Sequence, residues 1–82
     1  MPGEGDSDAD AHWDAGDLNC GPLVLELRAR LKAMPGRVLK VTARDTSAPE
    51  DLGAWCRVTD NELIRHDPGQ HGFWIRSRMN WS

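Results

Sequence analysis

The sequence predicts an α+β (α/β) two-layer sandwich of order βαβαββ, with a four-stranded mixed sheet and two helices on one face. Three observations predict it. The chain has 82 residues, which is room for one domain and one core. Two stretches repeat apolar residues with the period of a helix and carry helix-start or helix-stop residues at their ends. Four shorter stretches suit strands, one before the first helix, one between the helices and two after the second.

Residues 1–10 hold Glu4, Asp6, Asp8 and Asp10 and no base, with Gly, Ser and Ala between them. With almost nothing to bury they read as a disordered acidic N-terminal tail. The first strand is expected over 11–16, where Trp13 and Ala15 alternate with His12 and Asp14. Gly16 and Asp17 then mark a turn. The first helix opens near Cys20, with Gly21 and Pro22 at its start, where proline's missing N–H is no loss. Leu23, Val24, Leu27, Leu31 and Met34 share one stripe, and Leu25 points elsewhere. Arg28, Arg30 and Lys32 lie late in the helix, which complements its carbonyl end. Pro35-Gly36 ends it.

Residues 37–44 form the clearest strand, with Leu39, Val41 and Ala43 on one face. It should pair in parallel with the first strand through a right-handed crossover. Ser47 and Glu50 have capping-box spacing and predict the second helix, whose buried stripe is Leu52, Trp55, Cys56 and Thr59. It should fray near Asp60-Asn61. Glu62–His66 and Phe73–Arg78 read as an antiparallel pair, with Pro68-Gly69 in the order of a type II turn. Trp13, Trp55 and Trp74 are expected in the core, and Trp81 frayed or on the surface. The domain is then 11–78, between the 1–10 tail and a 79–82 C-terminal tail.

Composition narrows the function. The formal charge is −3. Removing the four acids of the tail from the total of 13 leaves nine against ten bases, so the folded part is close to neutral. A nucleic-acid footprint is not expected. No apolar run reaches the roughly 18 residues of a membrane span, and the N-terminus has no signal-peptide pattern. Two cysteines make no disulfide scaffold and show no metal-ligand spacing, so no metal is expected. The expected location is the cytoplasm, with reduced thiols.

Cys20 is the position that can carry chemistry. Unpaired amides and the positive dipole end at a helix start stabilise an anion, and such a site lowers a thiol's pKa from about 8.5 toward roughly 3.5–7.5. Gly21 adds no side chain to obstruct the sulfur. The competing reading is an inert, buried thiol, which is the commoner state of free cysteine. Asp14 and Asp17 precede Cys20 and either oppose the dipole or cap the turn's amides. Cys56 falls mid-helix and reads as a packing residue, with a resolving-thiol role as the alternative. His12, His66 and His71 are scattered over strand ends and a loop, and Arg76 and Arg78 read as a solvated face.

Asp14–Cys20 (Asp-Ala-Gly-Asp-Leu-Asn-Cys), the strand Val38–Ala43 and the Asp51-Leu-Gly-Ala-Trp-Cys-Arg stretch together resemble the TusA (SirA-like) family over residues 11–78. The resemblance implies a βαβαββ fold and a small cytoplasmic sulfur carrier, a monomer without cofactor, whose essential cysteine corresponds to Cys20. Gly21, Pro22, Asp17 and Asn19 would be the supporting residues. It implies a persulfide donor, commonly a cysteine desulfurase, and a downstream sulfur-acceptor protein, serving tRNA thiolation, molybdenum cofactor assembly or sulfur metabolism. No direct nucleic-acid or membrane contact is implied. The chain departs from the family's Cys-Pro-x-Pro: it reads Cys20-Gly21-Pro22-Leu23. That altered motif and the acidic tail also fit a non-catalytic interaction or regulatory module.

Overall fold

A computed structural model describes residues 9–81, with every side chain in that range except that of Cys20; the body of the proposed 1–10 tail lies outside the described residues. The elements are β1 (Ala11–Gly16), α1 (Cys20–Lys32), β2 (Val38–Ala43), α2 (Ala48–Thr59), β3 (Glu62–Asp67), a 3-10 turn (Pro68–Gln70) and β4 (Gly72–Arg76). They form one mixed sheet in the order β1-β2-β4-β3. β1 is parallel to β2, and β4 is antiparallel to both β2 and β3. The fold is the expected α+β sandwich.

One core joins the layers. Leu23, Leu27 and Leu31 from α1 and Leu52 and Cys56 from α2 meet Leu39, Val41, Ala43, Phe73 and Ile75 of the sheet. The three α1 leucines are 0% exposed whereas Leu25 is 72% exposed, so the helical stripe is as the spacing predicts. Burying each such side chain stabilises the fold by about 1.5–3 kcal/mol relative to leaving it exposed. Helix α1 stops before Pro35, and Gly36 (φ 76°) turns the chain into β2. Only glycine takes that backbone region without strain.

Four local expectations are corrected. Ser47 makes no capping-box bond, because its own N–H and Oγ both donate to Asp45 Oδ1 at 3.2 Å. Asp45 thereby closes the turn before α2, and the helix proper begins one residue later at Ala48. The 67–70 connection is a 3-10 turn and not a type II turn. Asp67 Oδ1 accepts from Gly69 N at 3.0 Å, and the left-handed residue is His71 (φ 54°).

Trp74 is buried, but on the sheet face away from the helices, packed beside Lys40 and Arg65. Trp81 is half-buried against the core, its Nε1 donating to Ser77 Oγ at 2.8 Å.

A bulge also separates two residues that a regular strand would place on one face. Leu63 pairs with Ile75 and Arg65 pairs with Trp74, which leaves Ile64 as the extra residue. Leu63 therefore packs against the core while Arg65 joins the opposite face.

Candidate functional site

Parallel pairing of β1 and β2 sets the site. Gly16 is opposite Ala43, so both strands finish at one rim of the sheet and both helices start from it. The β3–β4 turn arrives at the same rim, with Asp67 and Thr42 both paired to Gly72. Topology thus gathers the start of α1, the start of α2 and the His66–His71 segment at a single end.

The approach to α1 is built by four hydrogen bonds. Asp14 Oδ1 accepts from Gly16 N at 2.9 Å and from Arg44 Nη1 at 3.4 Å, while Arg44 N donates to Gly16 O at 3.1 Å. Asp14 is therefore a turn-capping acid, one of its two expected roles. Gly16 (φ 62°) makes the bend, and Leu18 N closes it onto Ala15 O at 3.2 Å.

Cys20 then stands as the first residue of α1, with Asn19 at the N-cap in extended conformation. Leu23 N donates to Asn19 O at 2.9 Å, which starts the helical ladder. The Asn19 side chain makes no capping bond and the first turn contains no acid. Pro22 has no N–H to offer, so the Cys20 and Gly21 amides are the first-turn donors ahead of Leu23. Asp17, Asn19, Gly21 and Pro22 are all exposed, and a Cβ built on Gly21 would meet nothing within 4 Å. The neighbours of Cys20 on both sides thus leave the helix mouth open to a second protein.

Cys56 is a different kind of thiol. It is 2% exposed within the core, and burial pushes its pKa up to about 11. It stays protonated and packs.

A cavity of about 240 Å³ lies farther along the rim, between Arg44, Asp45, Thr46 and Pro49 on one side and His66, Pro68, His71 and Phe73 on the other. His66 stacks on Phe73 with ring centroids 4.3 Å apart. Two histidines scattered in the sequence thus meet one cavity, which the hairpin register explains and the spacing alone did not reveal. Among the described residues no group of three or more His, Cys, Asp or Glu is placed to hold a metal. No helix there is long and apolar enough to cross a membrane.

The geometry defines a class: small two-layer α+β proteins in which a cysteine opens the first helix at the sheet rim. A family model described as Sulfurtransferase TusA matches residues 13–77. The sulfur carrier protein TusA of Pseudomonas paraeruginosa (strain DSM 24068 / PA7) is 35% identical over 74 residues, 87% of this chain and 94% of that protein. The sulfur carrier protein TusA of Pseudomonas fluorescens (strain SBW25) is 36% identical over 70 residues, 82% and 84% of the two chains. The chain belongs to the TusA family.

Proposed function

We propose that the domain formed by residues 11–78 is a persulfide carrier with Cys20 as the accepting residue. The observation that carries this reading is the place of Cys20, first in α1, inside the region that matches the family and between exposed neighbours. Relatives that cover nearly their full length with this chain are named sulfur carriers, which supports the same reading.

The Cys20 thiolate attacks the outer sulfur of a donor persulfide. A new S–S bond forms on Cys20, the donor's S–S bond breaks, and the donor leaves as a thiolate, with no net oxidation. The bound sulfur departs by the same exchange when a thiolate of the acceptor protein attacks it. The Cys20 and Gly21 amides supply partial positive charge to the anionic sulfur, so neither metal nor cofactor enters the step. Gly21, Pro22, Asp17 and Asn19 shape the exposed loop that the donor, a cysteine desulfurase or another persulfide protein, and the acceptor must reach. Delivery to tRNA thiolation, molybdenum cofactor assembly or sulfur metabolism is decided by that acceptor.

Incubation with a cysteine desulfurase and cysteine, followed by intact mass measurement, tests the assignment. The expected adduct is about 32 Da, one sulfur atom, present in wild type and Cys56→Ala and missing in Cys20→Ala. If this chain gains no mass while a TusA relative does under the same conditions, the carrier reading fails and the chain is a binding module.

A further inference from the structure

The cavity of about 240 Å³ on the rim is a cleft between the sheet and the start of α2. His66 pairs with Phe73 across β3 and β4, and their rings stack at 4.3 Å with 9° between the planes. Phe73 is a core residue, so His66 extends the helix-facing side of the sheet onto its outer strand. His71 is fixed from another direction. Its carbonyl accepts from Ala43 N at 3.0 Å, which pins the β3–β4 turn to the end of β2. The facing wall is Arg44, Thr46 and Pro49, where β2 gives way to α2.

The polar groups of this cleft are mostly donors without acceptors. Among the described residues neither imidazole has a hydrogen-bond partner. The Arg44 guanidinium bonds there only through Nη1, to Asp14 Oδ1 at 3.4 Å. A neutral imidazole carries one N–H and a guanidinium five. The one acid on the wall among the described residues is Asp45, and its Oδ1 already accepts from both N and Oγ of Ser47 at 3.2 Å. Between the donors the lining is apolar, with Ala43, Pro49, Pro68 and Phe73. Donors on two walls around an apolar floor suit a ligand with charged acceptor oxygens at one end of a flat apolar body. The size agrees, because a cavity of about 150 Å³ already admits benzene.

We propose that this cleft binds a monocarboxylate carried on a flat apolar body. His66, His71 and Arg44 take the carboxylate oxygens, and the body lies against Pro49 and the His66–Phe73 pair. Cys20 takes no part in this assignment, so it stands or falls apart from the carrier reading.

Titration of the full-length, isotope-labelled chain with benzoate, followed by NMR, tests the site. The amide resonances of Thr46, His66 and His71 should shift and saturate at millimolar benzoate. Benzamide keeps the ring without the charge and should bind about tenfold more weakly. His66→Phe keeps a ring to stack on Phe73 but has no nitrogen. His71→Gly removes the imidazole at a left-handed backbone (φ 54°) that glycine adopts freely. Each variant should weaken benzoate binding by about tenfold, with unchanged amide shifts at Leu27 and Leu52 marking an intact core. A peptide ending in phenylalanine separates two sources of the same chemical group. Tighter binding of benzoate assigns a free small acid, tighter binding of the peptide with a free terminus assigns a chain end, and both support the proposal. Shifts that do not saturate overturn it. So do equal affinities for benzoate and benzamide, saturation centred on the start of α1, or variants that bind as well as wild type.

Discussion

The hydroxyl of Ser77 donates to the carbonyl of Leu31 at 2.7 Å, tying the residue after β4 to the last turn of α1. The same oxygen accepts from Trp81 Nε1 at 2.8 Å. Ser77 is 1% exposed, so neither partner could replace it readily with water. Ser77→Ala should lower stability by about 1–3 kcal/mol, the cost of leaving buried polar groups unpaired. Denaturant unfolding measures it, and a loss below the scatter of the method would show that water or a shifted side chain fills the gap.

Gly36 predicts a second loss. Its φ is 76°, and a Cβ there would run into Met79 Sδ. Met79 is 75% exposed and can swing aside, so the backbone strain is the lasting part. Gly36→Ala should cost about 1–2 kcal/mol. Adding Met79→Ala should recover only a minor share. Full recovery would instead make the side-chain collision the cause.

Gly21 predicts the opposite sign. A Cβ there meets open space and the residue is helical without a positive φ. Gly21→Ala should raise stability by about 0.5–1 kcal/mol through helix propensity and a less flexible unfolded chain. Thermal unfolding would register the rise as a Tm increase of several degrees, and a decrease would reveal a hidden demand for glycine at the helix mouth.

Cys56 makes alkaline stability depend on one proton. Its folded pKa is about 11 against an ordinary 9.0. Between those values the unfolded thiol has lost its proton and the folded one keeps it, so stability present below pH 9 is lost as pH rises through 11. The contribution falls by about 1.4 kcal/mol per pH unit in that window. Unfolding free energies of wild type and Cys56→Ala should therefore converge from pH 9 to 11, and parallel curves would refute the assignment.

In the native state Cys56 should also resist alkylation until the chain is unfolded. A thiol-specific reagent followed by peptide mass mapping reads this directly. Rapid labelling of Cys56 in the folded protein would mean that α2 opens far more often than a core helix should.

The architecture was legible in the sequence because its signals are periodic. The Leu23–Leu27–Leu31 stripe and the alternation of Leu39, Val41 and Ala43 reflect burial on one face, which repeats along the element. The start of α1 at Cys20 was legible for a related reason, since Gly21 and Pro22 are tolerated at a helix start and not deeper. What escaped depends on one competing hydrogen bond or on pairing across strands. Ser47 has the spacing of a capping box, but Asp45, two residues away, takes its hydroxyl. Arg65 crosses to the open face through a bulge at Ile64 that alternation cannot foresee. Trp74 looks like any buried aromatic until β4 is set between β2 and β3, where Lys40 and Arg65 flank it on the other side of the sheet. The meeting of His66 and His71 at one cavity has the same origin.

The pairing of Asp10 with Val38, and of Ser77 with the Gly36–Arg37 backbone, puts both ends of the described chain at the rim away from the helix starts. A protein immobilised on a sensor surface through a side chain beside either of these pairings would therefore display the mouth of α1 toward solution. Captured that way, it could be screened against candidate donors and acceptors without the attachment point standing between them.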